Sequence, residues 1–527
     1  MRDGVVLRVN VYRPRGSGPF PVILSVHPYG KNAVPTKTRR GWKLNVQFRI
    51  MNQSEQIQIS DLTGWEAPDP VWWVAQGYAV INADERGAGT SDGTGSLFTD
   101  AEATDSYDLI QRAGAQPWSN GNVGMLGVSY LAISQYKAAA LHPPSLKAIC
   151  PWEGFSDIYR DFMTPGGVAE KGFSRIWQAA SKRVARISTD FRLERRRRPL
   201  RDSWWDSLTP SLDEITVPML VCASFSDANL HTVGSFRALQ RVGSAERFAY
   251  LHRGPKWSTF YSAEAKAAQL AFFDRYLRES DTPTSPRVRL EVRESHDRVV
   301  EVRTENEWPL ARTEWTELHL ADDGRLTEAP GPAGKIEFDL RRDAAAFTFT
   351  FTGDTELTGP MNLKLWASLD GHKRGGVQDG RTPRDANLFI GVEKWSDGRC
   401  VPFEGSYGYG RDRVATGRLR MSMRELDPAT TFPHQPEHAF LTQQLLAQGE
   451  IVQLDIPLSP SSTLFRAGDS LRLLVAGRYL EPLNPLFGHF PARYASSPRG
   501  RCTLHWDAEH PARLEIPVIP KAPRISK

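Results

Sequence analysis

Near residue 305 the period of the sequence changes, and that change limits the folds open to this chain. Upstream, apolar runs alternate with amphipathic ones. Residues 5–12, 21–26, 78–83, 123–126, 146–150, 218–225 and 248–251 have the pattern of strands, with 288–292 as a last one. Residues 72–76, 105–113, 131–141, 231–239 and 263–277 have the spacing of helices. Strands alternating with helices predict a parallel, doubly wound sheet. Residues 155–212 interrupt the alternation with helical, aromatic and basic sequence, including Trp177, Trp204 and Trp205. Beyond 305 the runs are short and alternate at period two, at 336–340, 347–351, 361–368, 387–393, 451–456 and 470–476. Gly, Pro and Asp turns separate them, which predicts an antiparallel sandwich. The expected organisation is therefore an α/β domain at 1–153 and 214–304, a helical cap inserted at 154–213, and an all-β domain at 305–527.

With 527 residues the chain exceeds what one core can fill. Its net charge of +5 is small for that size, so neither nucleic acid nor an acidic partner is implied. Four cysteines, Cys150, Cys222, Cys400 and Cys502, lie far apart, mostly in apolar runs. They predict buried thiols, with no disulfide framework and no metal-ligand spacing. No run approaches a membrane span and the N-terminus lacks an apolar signal region, so a cytoplasmic protein is expected. Met1-Arg2-Asp3-Gly4 runs straight into strand-like sequence, which leaves room for residues upstream.

The residue with the clearest chemical meaning is Ser129. It stands between the apolar run 123–126 and the helical run 131–141, in Gly127-Val128-Ser129-Tyr130-Leu131. A bare Gly-x-Ser is common in turns. A serine on a tight strand-to-helix turn is the nucleophile elbow of an α/β-hydrolase fold, where the helix N-terminus also supplies an oxyanion donor. Leu131 occupies the second glycine position of the usual Gly-x-Ser-x-Gly. In such folds the order along the chain is serine, acid, histidine. Asp227 follows the strand ending at 225 and is placed as the orienting acid, although an Asp there also serves as a helix cap. His252, after the next strand, is the expected base. His231, four residues after Asp227, is the second choice and is read as lining the pocket. One oxyanion donor is the Tyr130 N–H. The loop His27-Pro28-Tyr29-Gly30 offers the other through the Tyr29 phenol, which a packing role explains equally well.

These stretches resemble the cocaine-esterase-like (CocE/NonD) serine hydrolases, a family related to X-Pro dipeptidyl-peptidases. The resemblance spans nearly the whole chain. It rests on Arg2-Asp3-Gly4-Val5, Val11-Tyr12-Arg13-Pro14, Pro28-Tyr29-Gly30-Lys31, the stretch Asp84 to Ser91, the stretch Gln116 to Gly124, and Gly127-Val128-Ser129-Tyr130. It implies an α/β-hydrolase domain, a helical cap and a C-terminal jelly roll. It also implies that Ser129 is the nucleophile and that Tyr29 and the Tyr130 N–H form the oxyanion hole. The family's histidine sits in a Gly-Pro-Trp-Ser-His stretch, and Thr259 stands there in this chain, in Gly254-Pro255-Lys256-Trp257-Ser258-Thr259.

The expected activity is cofactor-free cleavage of a small carboxylic ester through an acyl-enzyme. Ester cleavage is favoured over amide or X-Pro cleavage because no acidic anchor for a substrate amine is identifiable. An acyltransferase stays open, as does a non-enzymatic binding protein whose triad lost its histidine. Trp152, Phe155, Tyr159, Phe225 and His231 are read as pocket residues. The run Arg195 to Arg198 is read as a solvated helix end. The partner is a small ester or amide, with a homo-oligomer compatible; neither nucleic acid nor membrane is implied.

Overall fold

Uninterrupted apolar runs become parallel strands when helices cover both faces of a sheet. In this computed structural model the described residues are 1–39, 41–45, 48, 51–53, 55–280, 286–371, 373–374, 377–378, 382–432, 434–481 and 489–520. The first sheet is built from β1 (Val9–Tyr12), β2 (Phe20–His27), β3 (Ala79–Asp84), β4 (Ser119–Val128), β5 (Leu146–Trp152), β6 (Met219–Ser224), β7 (Arg247–His252), β8 (Val288–Ser295) and β9 (Arg298–Glu305). The order across it is β1-β3-β2-β4-β5-β6-β7-β8-β9. The seven central strands are parallel and both edges antiparallel.

Successive residues of these strands enter different cores, as a period of two requires. Val22, Leu24 and Val26 pack with α2 (Asp100–Gly114), α3 (Tyr130–Ala139) and α7 (Thr232–Arg241). Ile23, Leu220, Cys222, Phe248 and Tyr250 pack on the other face, beneath α1 (Pro70–Ala75), α8 (Lys256–Phe260) and α9 (Ala263–Leu277). Between β5 and β6 the chain forms a π-helical turn at Ile158–Met163, then α4 (Phe173–Val184), α5 (Phe191–Arg197) and α6 (Ser203–Ser207). Asp190 and Asp202 cap α5 and α6 by accepting backbone N–H bonds, which fixes where those helices start. Arg195 departs from the solvated reading of the basic run: its guanidinium donates to the Met163 and Glu170 carbonyls.

The C-terminal region is β-rich. β10 (Glu314–Ala321), β11 (Gly334–Asp339), β12 (Ala344–Thr350), β13 (Thr355–Asp370), β14 (Asn387–Ser396), β15 (Ala415–Arg420), β16 (Val452–Phe465), β17 (Ser470–Ala476), β18 (Arg501–Trp506) and β19 (Arg513–Ile519) pair antiparallel. Their alternate residues, among them Leu363, Leu365, Leu454, Ile456, Leu473 and Leu514, share one apolar core. The sequence suggested one terminal strand at 288–292. The structure has the hairpin β8–β9 there, and Arg293 of β8 bridges Thr463 of β16, so the two regions are joined by backbone pairing. β9 was hidden because Val-Val-Glu-Val-Arg-Thr-Glu is half charged and half exposed. All four cysteines are free; Cys150, Cys222 and Cys502 are buried, whereas Cys400 is exposed. Among the described residues no helix is long and apolar enough to cross a membrane.

Candidate active site

Ser129 stands between the end of β4 and the start of α3 with φ 59° and ψ −115°. A residue with a side chain is held in that conformation only where the surroundings enforce it. They do so here by a bond from Ser129 N–H to the Trp152 carbonyl, 3.0 Å. Tight local packing adds to it. A Cβ on Gly127 would fall 2.4 Å from the Leu131 Cβ, and one on Gly154 would fall 2.7 Å from the Ala132 Cβ. Leu131 thus fills the space above Gly127, and the close approach usually made by a second glycine falls to Ala132 against Gly154.

The histidine at Ser129 is His231. Its Nε2 lies 3.2 Å from Ser129 Oγ, and its Nδ1 lies 2.5 Å from Asp227 Oδ2. Asp227 follows β6, and its carbonyl accepts the His231 N–H at 3.0 Å, so one helical turn carries the ring back over the carboxylate. Both side chains are buried. Asp227 also accepts from Lys256 Nζ, 2.6 Å, and from the Ser406 hydroxyl on Oδ1, 2.5 Å. Ser406 comes from the C-terminal region. Burial would raise the Asp227 pKa, but Lys256 and His231 outweigh it and hold the carboxyl far below its ordinary range. Lys256 answers in the opposite sense. Burial disfavours its charge, and Asp227 and Glu153 more than restore it, so the ammonium persists. His231 is pushed down by burial and by the Lys256 cation, against the pull of Asp227. The imidazole is therefore neutral at ordinary pH. Removing the cation as Lys256→Met should raise the His231 pKa. The acidic limb of kcat/KM against pH should then move to higher pH, and a stopped ester assay across pH 5–8 reads that shift.

His252 does not reach Ser129. It is the last residue of β7 and shares a face with Phe248 and Tyr250, so it points into the core beneath α9. Its Nδ1 accepts the Gly254 N–H at 3.1 Å, and its Nε2 lies 3.4 Å from Glu153 Oε1. Glu153, Cys222 and His252 bring potential ligand atoms within 4.8 Å of one another. The donor set does not suit a metal, however. With the Nδ1 lone pair engaged by Gly254, Nε2 carries the proton and has no lone pair to offer. The Cys222 thiol is pushed well up by burial, so a thiolate is disfavoured as well.

Around Ser129 the walls are aromatic. Phe155 stacks on His231 with centroids 6.1 Å apart, and Phe98 packs against both Tyr130 and Phe155. Tyr29 meets Tyr130 edge to face at 5.9 Å, and its hydroxyl accepts from Trp177 Nε1 at 3.0 Å, leaving the phenol hydrogen to donate elsewhere. The Tyr130 phenol donates away from the site, to Glu85 at 2.8 Å, while its backbone N–H opens α3 beside Ser129. Other expected pocket residues lie elsewhere. Trp152 packs on Tyr250 and Phe260 in the sheet core. Phe225 packs on Phe236 and Trp308. Tyr159 packs on Trp205 and Phe440 and bonds the Pro199 carbonyl. Each is a large apolar ring that the core claims first. Glu66, Lys256, Ser406, Phe98 and Trp177 are the site residues the sequence did not reveal. They come from five separate stretches of chain, of which the cap segment holding Trp177 and the stretch holding Lys256 stood out in the sequence.

Comparison with known proteins identifies the family. Residues 3–256 match the X-Pro dipeptidyl-peptidase (S15 family) model, and residues 281–515 match the X-Pro dipeptidyl-peptidase C-terminal non-catalytic domain. The chain is 25% identical to the cocaine esterase of Rhodococcus sp. (strain MB1 Bresler), over 98% of this chain and 97% of that protein. Among solved structures it is similar to a CocE/NonD family hydrolase from Staphylococcus aureus, with 35% identity, a TM-score of 0.90, and 99% and 92% of the two chains covered. An aminopeptidase from a Thaumarchaeota archaeon shares the fold at 18% identity and a TM-score of 0.67, over 99% and 95% of the chains. The non-enzymatic reading drawn from the missing histidine is set aside. The chain belongs to the CocE/NonD family of hydrolases, related to the X-Pro dipeptidyl-peptidases, and is an enzyme.

Proposed function

We propose that the protein is a serine esterase cleaving small carboxylic esters through an acyl-enzyme on Ser129. The observation that carries this reading is the bonded series Ser129–His231–Asp227 on a strained strand-to-helix elbow. His231 takes the Ser129 proton as Oγ attacks the acyl carbon, then returns it to the leaving alkoxide. Water, activated by the same imidazole, releases the acid. Asp227 keeps the Nδ1–H tautomer and steadies the imidazolium. The Tyr130 N–H and the Tyr29 phenol hold the oxyanion. The helical segment 158–214 serves as a cap whose aromatic side chains line an acyl pocket. The C-terminal strands form a jelly-roll support that reaches the triad through Ser406.

Tyr29→Phe is expected to lower kcat by about 10²–10³-fold with little change in KM, because the phenol acts chiefly in the transition state. Steady-state hydrolysis of 4-nitrophenyl butyrate checks this. An X-Pro peptidase is the second reading, favoured by both family descriptions. Comparing 4-nitrophenyl butyrate with Ala-Pro-4-nitroanilide separates the two. The ester should be turned over with much the higher kcat/KM, and a preference for the anilide would overturn the esterase reading.

A further inference from the structure

Glu66 is an acid in a place where an acid is unexpected. Its carbonyl accepts the Val128 N–H at 3.0 Å, which pins it beside the end of β4, and its own backbone has a left-handed φ of 62°. The residue is 5% exposed. Its carboxyl faces the Ser129 hydroxyl and the Tyr130 backbone N–H, where the acyl oxygen of a substrate has to come. Among the described residues, Oε2 is buried with no hydrogen-bond partner. Lys256 and Asp227 face it, from α8 and from the loop after β6. Tyr29 and Tyr261 face it from the loop after β2 and the end of α8. A carboxylate here would repel the oxyanion formed on Ser129. A carboxylic acid would instead offer a hydrogen to it.

We propose that Glu66 works as a neutral carboxylic acid in the oxyanion pocket, donating a hydrogen bond to the anionic oxygen beside the Tyr130 N–H, and that its ionisation turns the enzyme off. The proton stays on Glu66 throughout, while the Ser129 proton passes to His231. This inference rests on the esterase reading above. The charge balance around the carboxyl follows from the same burial and neighbours. Burial raises the Glu66 pKa to about 8, against the opposing Lys256 cation and the Ser129 and Tyr130 donors, with Asp227 adding to the rise. The acid is thus neutral at pH 7 and is lost as pH climbs past 8.

The test is kcat/KM for 4-nitrophenyl butyrate from pH 6 to 10, with wild type, Glu66→Gln and Glu66→Leu. Wild type should fall reversibly on the alkaline side, with a limb near pH 8. The Gln amide donates at every pH, so Glu66→Gln should lose that limb. Glu66→Leu should also lack it and should fall by about 10²–10³-fold at pH 7, since it removes a donor to the oxyanion. An alkaline limb that persists in Glu66→Gln, its absence from wild type, or a Glu66→Leu enzyme as fast as wild type would each overturn the proposal. Fluorophosphonate labelling of the same samples at pH 7 reports separately on Ser129. Wild type that fails to label contradicts the esterase reading itself, whereas labelled wild type without the limb contradicts only the role of Glu66.

Discussion

Replacing His231 with alanine is expected to lower kcat for an aryl ester by about 10⁶-fold, the scale of losing a triad base. That corresponds to about 8 kcal/mol of transition-state stabilisation. The size follows from the geometry. The Ser129 hydroxyl has His231 Nε2 at 3.2 Å as its imidazole partner, and Lys256 is held as an ammonium that cannot take a proton. His252→Asn should behave quite differently. His252 faces Glu153 and the core, so its loss should lower stability more than catalysis. Thermal unfolding should move down while kcat/KM at 25 °C stays close to wild type. The contrast between the two histidines is more informative than either variant alone, since a general loss of folding would depress both. Comparable inactivity of both variants, with both folded, would contradict the assignment.

Asp227→Asn should cost about 10⁴-fold in kcat while leaving KM nearly unchanged. An amide can donate to His231 Nδ1 and so select the wrong tautomer, with the proton on Nε2 where Ser129 needs a lone pair. The surroundings make this variant harsher than an exposed one. Lys256 and the Ser406 hydroxyl also donate to Asp227, and the neutral amide would leave Glu153, at 3.6 Å, as the ion-pair partner of Lys256 among the described residues. Buried charge without its partner is destabilising. A lower unfolding temperature should therefore accompany the kinetic loss. Kinetics at pH 7 separate the two effects, because a folded but mis-tautomerised enzyme stays slow where His231 is already neutral.

Much of this molecule can be read from its sequence, for physical reasons. The strands β2 to β7 are short apolar runs flanked by helices, and period alone finds them. The Ser129 elbow is marked by an apolar strand, a glycine and an immediate helix. Asp227 is marked by its place after a strand. The histidine is different. The rule of serine, acid, then histidine after the next strand led to His252. Its surroundings decide against it, because 248, 250 and 252 share the face beneath α9, where His252 meets Gly254 and Glu153 instead of Ser129. The available signal was the four-residue spacing from Asp227 to His231, which places both on one side of a helical turn. Lys256, in the stretch where the family carries its histidine, sits on Asp227 instead. Glu66 and Ser406 were beyond reach for another reason. Residues brought together from positions 66, 129 and 406 leave no local pattern, and only the folded chain shows that they meet.

The central claim is that Ser129 is a nucleophile activated by His231. Intact-mass spectrometry after brief exposure to a fluorophosphonate at pH 7.5 tests it most directly. Wild type and His252→Asn should gain one phosphonyl mass at comparable rates, His231→Ala should gain it orders of magnitude more slowly, and Ser129→Ala should not gain it. Labelling of His231→Ala at the wild-type rate would contradict the account.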